Sequence, residues 1–292
     1  MKFIFKGYTL FILLVILTIV SLFIGVSQLS LIDIFHLSDE QINILFSSRI
    51  PRTVSILLSG SSLALSGLIM QQMMQNKFVS PTTAGTMEWA KLGILMSLLF
   101  FPNGPILIKL LFAVVLSIVG TFLFVQLINL IRVKDVIFVP LLGIMIGGIL
   151  SSFTTFVALR TNALQSIGNW LTGNFAVITS GRFEVLYLTI PLLILAFVFA
   201  NHFTIAGMGK DFSHNLGVSY EKIIKIALFI TATLTALVVV TVGTLPFLGL
   251  IVPNIISIYR GDHLKNALPH TLMLGAIFVL IADIIGRIIV YP

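Results

Sequence analysis

Eight runs of about 20 mostly apolar residues recur along this chain, at 7–26, 53–75, 82–101, 106–131, 136–159, 184–203, 221–242 and 269–290, the length an α-helix needs to cross a bilayer core. A ninth, 244–259, is equally apolar but is interrupted by Pro246, Gly249 and Pro253. A water-soluble fold has no way to cover so many such runs with polar surface. The chain is 58% hydrophobic and only 9% charged, with a mean hydropathy of +1.14. These values predict an all-α polytopic membrane protein with about nine crossings and a single transmembrane domain over residues 1–292. The run at 7–26 follows Lys2 and Lys6, as the core of a secretory signal would. It is too long for one, and no small-residue cleavage site follows, so it reads as a retained span. The chain has no cysteine, which excludes disulfides, thiolate metal sites and cysteine nucleophiles.

In a membrane protein a net charge of +7 marks loop orientation and does not call for nucleic acid. With the N-terminus inside, the alternate loops hold ten basic residues: Lys2, Lys6, Lys77, Arg132, Lys134, Lys210, Lys222, Lys225, Arg260 and Lys265. The opposite side holds six, namely Arg49, Arg52, Lys109, Arg160, Arg182 and Arg287. Basic residues favour the cytoplasmic side, so the N-terminus is expected there. The stretch SSRIPRTVSILLSG, beginning at Ser47, then presents Arg49 and Arg52 outward. Two fixed cations at that mouth suit an acidic docking partner, or else anchor in lipid headgroups.

Ionisable residues at membrane depth are functional candidates. Glu88 and Lys91, three apart, share a helix face, as do Asp283 and Arg287, four apart. Each pair reads as a coupling or substrate site, or as a self-neutralising structural pair; the second reading is preferred for Asp283 with Arg287. Gly143 and Gly147 stand at close-packing spacing ahead of Ser151, Ser152, Thr154 and Thr155. Those hydroxyls either wet a translocation path or bond back to their own helix. The loop GMGKDFSHNLGVSYEK is the longest inward connection, and it reads as a solvated loop or as a short helix pair shown to a cytoplasmic partner. No metalloprotease, hydrolase or phosphate-loop motif is present. Any ATP used must bind another chain.

The stretch RIPRTVSILLSGSSLALSGLIMQQMMQNKFVSP resembles the FecCD family, the permease subunits of ABC importers for ferric siderophores, haem and cobalamin. The matching positions are Arg49-Ile50-Pro51-Arg52, Gly60, Ala64-Leu65, Gly67, Gln71, Asn76 and Pro81. LGV (216–218), FLGLIVPN (247–254), DH (262–263), LP (268–269) and ADIIGR (282–287) follow in the family's order. GTMEWAKLG looks like the branch that handles catecholate siderophores.

The resemblance implies a bundle like that of the cobalamin-importer permease (type II ABC importer), with ten spans in the family. It implies a homo- or heterodimer of permeases, two cytoplasmic ATPase subunits holding ATP and magnesium, an extracytoplasmic binding protein, and the inner membrane of a prokaryote. This chain would carry no cofactor and no metal ligands. Arg49, Arg52 and Arg287 map onto the family's docking arginines. Residues 211–220 map onto its coupling helices, with Asp211, Ser213, His214, Asn215, Leu216 and Gly217 as contacts. Ser151, Ser152, Thr154 and Thr155 fall on its path-lining span. The chain departs from the pattern at Gln75-Asn76-Lys77, where the family has Arg-Asn-Pro, and at Pro253-Asn254, where it has Pro-His. It also stops at Tyr291-Pro292, where the family continues into a tenth span, so a truncated gene or a fragment is expected. The alternatives are a haem or cobalamin permease of the same family, an ion-coupled secondary transporter using Glu88, Lys91 or Asp283, an intramembrane enzyme, or a non-functional paralogue.

Overall fold

A computed structural model describes residues 6–25, 38–130 and 136–289. Lys2, Arg132, Lys134, Tyr291 and Pro292, used above for orientation and for the chain end, lie outside the described residues. The helices, in order, are α1 Gly7–Phe23, α2 Asp39–Ile44, α3 Ile50–Met73, α4 Thr86–Phe100, α5 Ile106–Leu130, α6 Phe138–Arg160 and α7 Leu164–Leu171. They are followed by α8 Thr189–Val198, α9 Ala200–Ala206, α10 Lys210–Asn215, α11 Tyr220–Thr241, α12 Leu248–Arg260 and α13 Leu264–Ile289. A tight 3-10 turn, Phe183–Leu188, leads into α8.

Each expected apolar run carries a helix, but the helices differ in reach. Among the described residues, five are long and apolar enough to cross a membrane: Asp39–Met73, α5, α6, α11 and α13. A sixth is the pair Phe183–Val198 and Ala200–Ala206, bent by 59°. Helices α1, α4 and α12 hold 17, 15 and 13 residues. At about 1.5 Å per residue they fall short of a core about 30 Å thick.

The run expected at 53–75 begins much earlier. Ser38 caps α2, accepting from the Gln41 N–H while the Gln41 side chain accepts from its own. A π-turn, Leu45–Arg49, joins α2 to α3, so RIPR lies inside 35 continuous helical residues. Pro51 explains the turn. It has no N–H to give the Ser47 carbonyl four residues back. That carbonyl instead accepts from Ser180 N at 3.2 Å, which ties the 172–182 segment to this end of α3.

Helix α3 is the central element, packed on α11, α12 and α13. Its glycines allow this. A Cβ on Gly60 would lie 2.6 Å from the Gly275 carbonyl oxygen, and one on Gly67 only 1.7 Å from that of Gly249. Pro253 sits inside α12 and leaves the Gly249 carbonyl, four residues back, without its helical N–H. This freed carbonyl is the one seated against Gly67. In the interrupted run, the chain re-enters helix only at Leu248, after Phe247 adopts φ +64°.

Candidate functional site

Three arginines and one carboxylate converge at the end of the bundle where α1 stops. The last carbonyls of a helix have no intrahelical donor and carry partial negative charge. Arg49 Nη1 donates to the carbonyls of Leu22 (2.8 Å) and Phe23 (2.9 Å). Arg287 Nη1 donates to those of Ser21 (2.9 Å) and Ile24 (2.7 Å), and its Nη2 donates to Ser21 Oγ (2.7 Å). Arg52 donates to Asp283 Oδ1 through Nε (3.0 Å) and Nη2 (2.6 Å). Asp283 Oδ2 lies 2.7 Å from Arg287 Nη2. Sequence spacing had paired Asp283 with Arg287. Its second partner, Arg52, is 231 residues away in the chain, and nothing in the sequence paired the two.

The three arginines are not equally available. Arg49 is 6% exposed, and the Arg52 side chain keeps 22% exposure against 12% for Arg287. Among the described residues, three guanidiniums gather here around one carboxylate. An apolar cleft of about 320 Å³ opens beside Asp283, lined by Phe175, Phe247, Ile251 and Phe278 among others.

Glu88 and Lys91 form an ion pair of 2.7 Å in the first turns of α4. Gly85 starts that helix at φ +73°, close against Gly143 and Gly147 of α6, and the Glu88 side chain approaches Gly147. On α6 the Ser152, Thr154 and Thr155 hydroxyls donate to carbonyls four residues back, those of Gly148, Leu150 and Ser151. Thr154 is buried, Ser151 half-buried, and Ser152 and Thr155 exposed. The structure therefore spends the donor hydrogens of Ser152, Thr154 and Thr155 on their own helix.

The opposite end is built from the turn after α3, α10 and the α12–α13 junction. Gln75 Nε2 donates to the Gly207 carbonyl at 2.9 Å. Lys77 pairs with Asp262, whose carboxylate also accepts from Ser257 Oγ. Burial opposes ionisation of Asp262, but the Lys77 and Ser257 hydrogen bonds and the Lys77 charge outweigh it and hold the carboxyl below its ordinary range. Asn254 Nδ2 donates to the Lys77 carbonyl at 2.8 Å, so this departure from the family pattern has a structural role. A polar cleft of about 410 Å³ lies among Gln71, Gln75, Lys77, Gly207 and Asp262.

Within α10, Ser213 is buried and donates to the Gly209 carbonyl (2.8 Å) and the Ile205 carbonyl (3.2 Å), anchoring the helix. Asp211, His214, Asn215, Leu216 and Gly217 are exposed. Gly217 sits at φ +71°. Met208, Phe212 and Leu216, four apart, expose 57%, 47% and 55% of their surface. Sequence reasoning missed Met208 and Phe212; their spacing across a polar loop was the available signal. Among the described residues no cluster of three or more His, Asp or Glu side chains could hold a metal.

The profile of the FecCD transport family matches residues 13–292. The petrobactin import system permease protein YclN of Bacillus subtilis (strain 168) is 55% identical over 283 residues, covering 97% of this chain and 90% of that protein. The petrobactin import system permease protein FatD of Bacillus anthracis is 38% identical, covering 96% of this chain and 82% of that one. Among solved structures, a metal-chelate type ABC transporter in an inward-facing conformation superimposes with a TM-score of 0.81 at 24% identity, over 96% of this chain and 90% of that one.

Proposed function

The chain belongs to the FecCD transport family of ABC-importer permease subunits, and from that premise we propose that it forms the path for a ferric siderophore of the petrobactin kind. One observation carries this reading: 55% identity, across 97% of the chain, to a petrobactin import permease. The family consists of transporters and not enzymes, and the apolar helices make this a multi-pass membrane protein.

In the arrangement we propose, the N-terminus is cytoplasmic and the membrane is the inner or sole membrane of a prokaryote. A second permease copy or paralogue completes the channel, and two ATPase subunits bind ATP and magnesium. A binding protein delivers the chelate at the end that carries Arg49, Arg52 and Arg287. Of the three, Arg52 combines charge with solvent exposure and is the first contact for an incoming carboxylate. Arg49 and Arg287 act by holding the end of α1. At the other end the exposed face of α10 seats on the ATPase. Ser151, Ser152, Thr154 and Thr155 line a wide, weakly binding path.

The test is radio-iron uptake from ferric petrobactin in cells lacking this gene, restored or not by the 292-residue chain. Restored uptake that is lost when the ATPase is inactivated fits the proposal. Uptake that survives ATPase loss but collapses with the proton gradient would point to a secondary transporter. Restoration for haem or cobalamin alone would replace the cargo.

A further inference from the structure

Lys109, Arg182 and Trp170 form a second cationic site at the same end of the molecule, unrelated to the motif arginines. Lys109 Nζ stands 5.8 Å from the centre of the Trp170 ring, and Arg182 Cζ stands 5.9 Å from it. The ring itself is fixed: its Nε1 donates to the Val240 carbonyl at 3.0 Å, and the residue is 9% exposed. The segment carrying Arg182 is anchored on both sides. Ser180 N donates to the Ser47 carbonyl, and Gly181 N donates to Glu184 Oε1 at 2.7 Å.

Two cations stand within 6 Å of the centre of one ring, and the indole quadrupole neutralises neither. None of the ion pairs among the described residues involves Lys109 or Arg182. Glu184, the nearest acid in sequence, spends an oxygen on the Gly181 N–H. Arg182 Nε is buried with no hydrogen-bond partner, an unmet donor on a planar fork. Burial also pulls the Arg182 guanidinium below its ordinary pKa, and an arriving anion would reverse that cost.

We propose that Lys109 and Arg182, braced on Trp170, form a binding site for a carboxylate on the face that receives cargo. The guanidinium fork and the ammonium supply the donors, and the fixed indole holds each of them within 6 Å of its centre before the ligand arrives. The source of the carboxylate is either the chelate or an acidic side chain of the protein that delivers it. The site rests on the transport reading only for that source.

The test uses the full-length chain in maltoside micelles free of phospholipid, titrated with tricarballylate. The chain has two tryptophans, so Trp89→Phe leaves Trp170 as the sole emitter; calorimetry on the chain retaining both guards against damage from that change. The expected result is a saturable change in Trp170 emission. Its affinity should fall about tenfold or more in Lys109→Gln/Arg182→Gln. Silence with tricarballylate, but a response to the purified binding protein that the double variant loses, would assign the carboxylate to the protein and sustain the site. An equal response to phosphate or chloride, an unchanged double variant, or silence in both arms would overturn it. Iron uptake is scored separately, so a failed cargo assignment leaves the titration interpretable.

Discussion

Asp283 is the residue on which the arginine cluster depends. Its side chain is 4% exposed and answers Arg52 through one oxygen and Arg287 through the other. Removing one member of such a cluster leaves charges buried without compensation, and that costs more than the pair contributes when intact. Asp283→Asn is therefore expected to destabilise the folded chain by about 3 kcal/mol, measured as thermal unfolding in detergent. Arg52→Gln, which removes the more exposed partner, should cost less. If combining the two costs as much as the sum of the single changes, the residues are not coupled and the network reading fails. Half of this cluster was legible in the sequence. A pair four residues apart on one helix announces itself, as Asp283 and Arg287 did. Arg52 belongs to the same cluster because α3 and α13 pack together, and no local spacing encodes that. The arginines' other partners are main-chain carbonyls of α1, which a sequence does not display at all.

At the scale of helices, apolar runs located the elements but did not rank them. Helices α5 and α11 have nearly equal mean hydropathy, 2.6 and 2.5, yet 28% of the first window is buried and 72% of the second. Lipid and protein interior are alike to an apolar side chain, so hydropathy does not separate them. Small residues at crossings do. Gly60, Ala64 and Gly67, singled out as motif positions, meet Gly275 and Gly249 in the structure. Prolines carried a second, subtler signal. Pro51 and Pro253 each free a carbonyl four residues back, and each carbonyl becomes a tertiary contact, with Ser180 in one case and against Gly67 in the other. A methyl group at Gly67 has nowhere to go, since the atom it meets is backbone. Gly67→Ala should cost about 3 kcal/mol or block assembly of the bundle, read as the folded yield and melting point of the purified chain. Gly148→Ala on α6, where a Cβ meets nothing within 4 Å, is the matched control. Equal behaviour of the two variants would remove the close crossing from the account.

The two ends of the molecule present different features, an arginine cluster around Asp283 at one and an exposed apolar trio beside α10 at the other. In the arrangement proposed above, cargo and energy arrive from opposite sides. In the proposed arrangement α10 is the element that meets the ATPase. Ser213 and the Gln75 bond to Gly207 fasten it to the bundle, while Met208, Phe212 and Leu216 face outward without cover among the described residues. Exposed apolar groups rimmed by polar ones mark a protein contact. Gly217 sets the direction in which the chain leaves this helix. Its φ of +71° is strained for any residue with a Cβ, by about 1 kcal/mol, and open space surrounds it. Gly217→Ala should thus leave folding and insertion nearly intact while re-aiming the α10 face. In the reconstituted complex, cargo-stimulated ATPase activity should fall several-fold, with basal unfolding temperature little changed. Gly217→Asn, which tolerates the left-handed conformation better, should retain more of the stimulation. Should both variants hydrolyse ATP and import iron like the parent chain, the exit angle of α10 is irrelevant to coupling, and the contact must lie elsewhere on that end, with the turn around Lys77 and Asp262 the next to be changed.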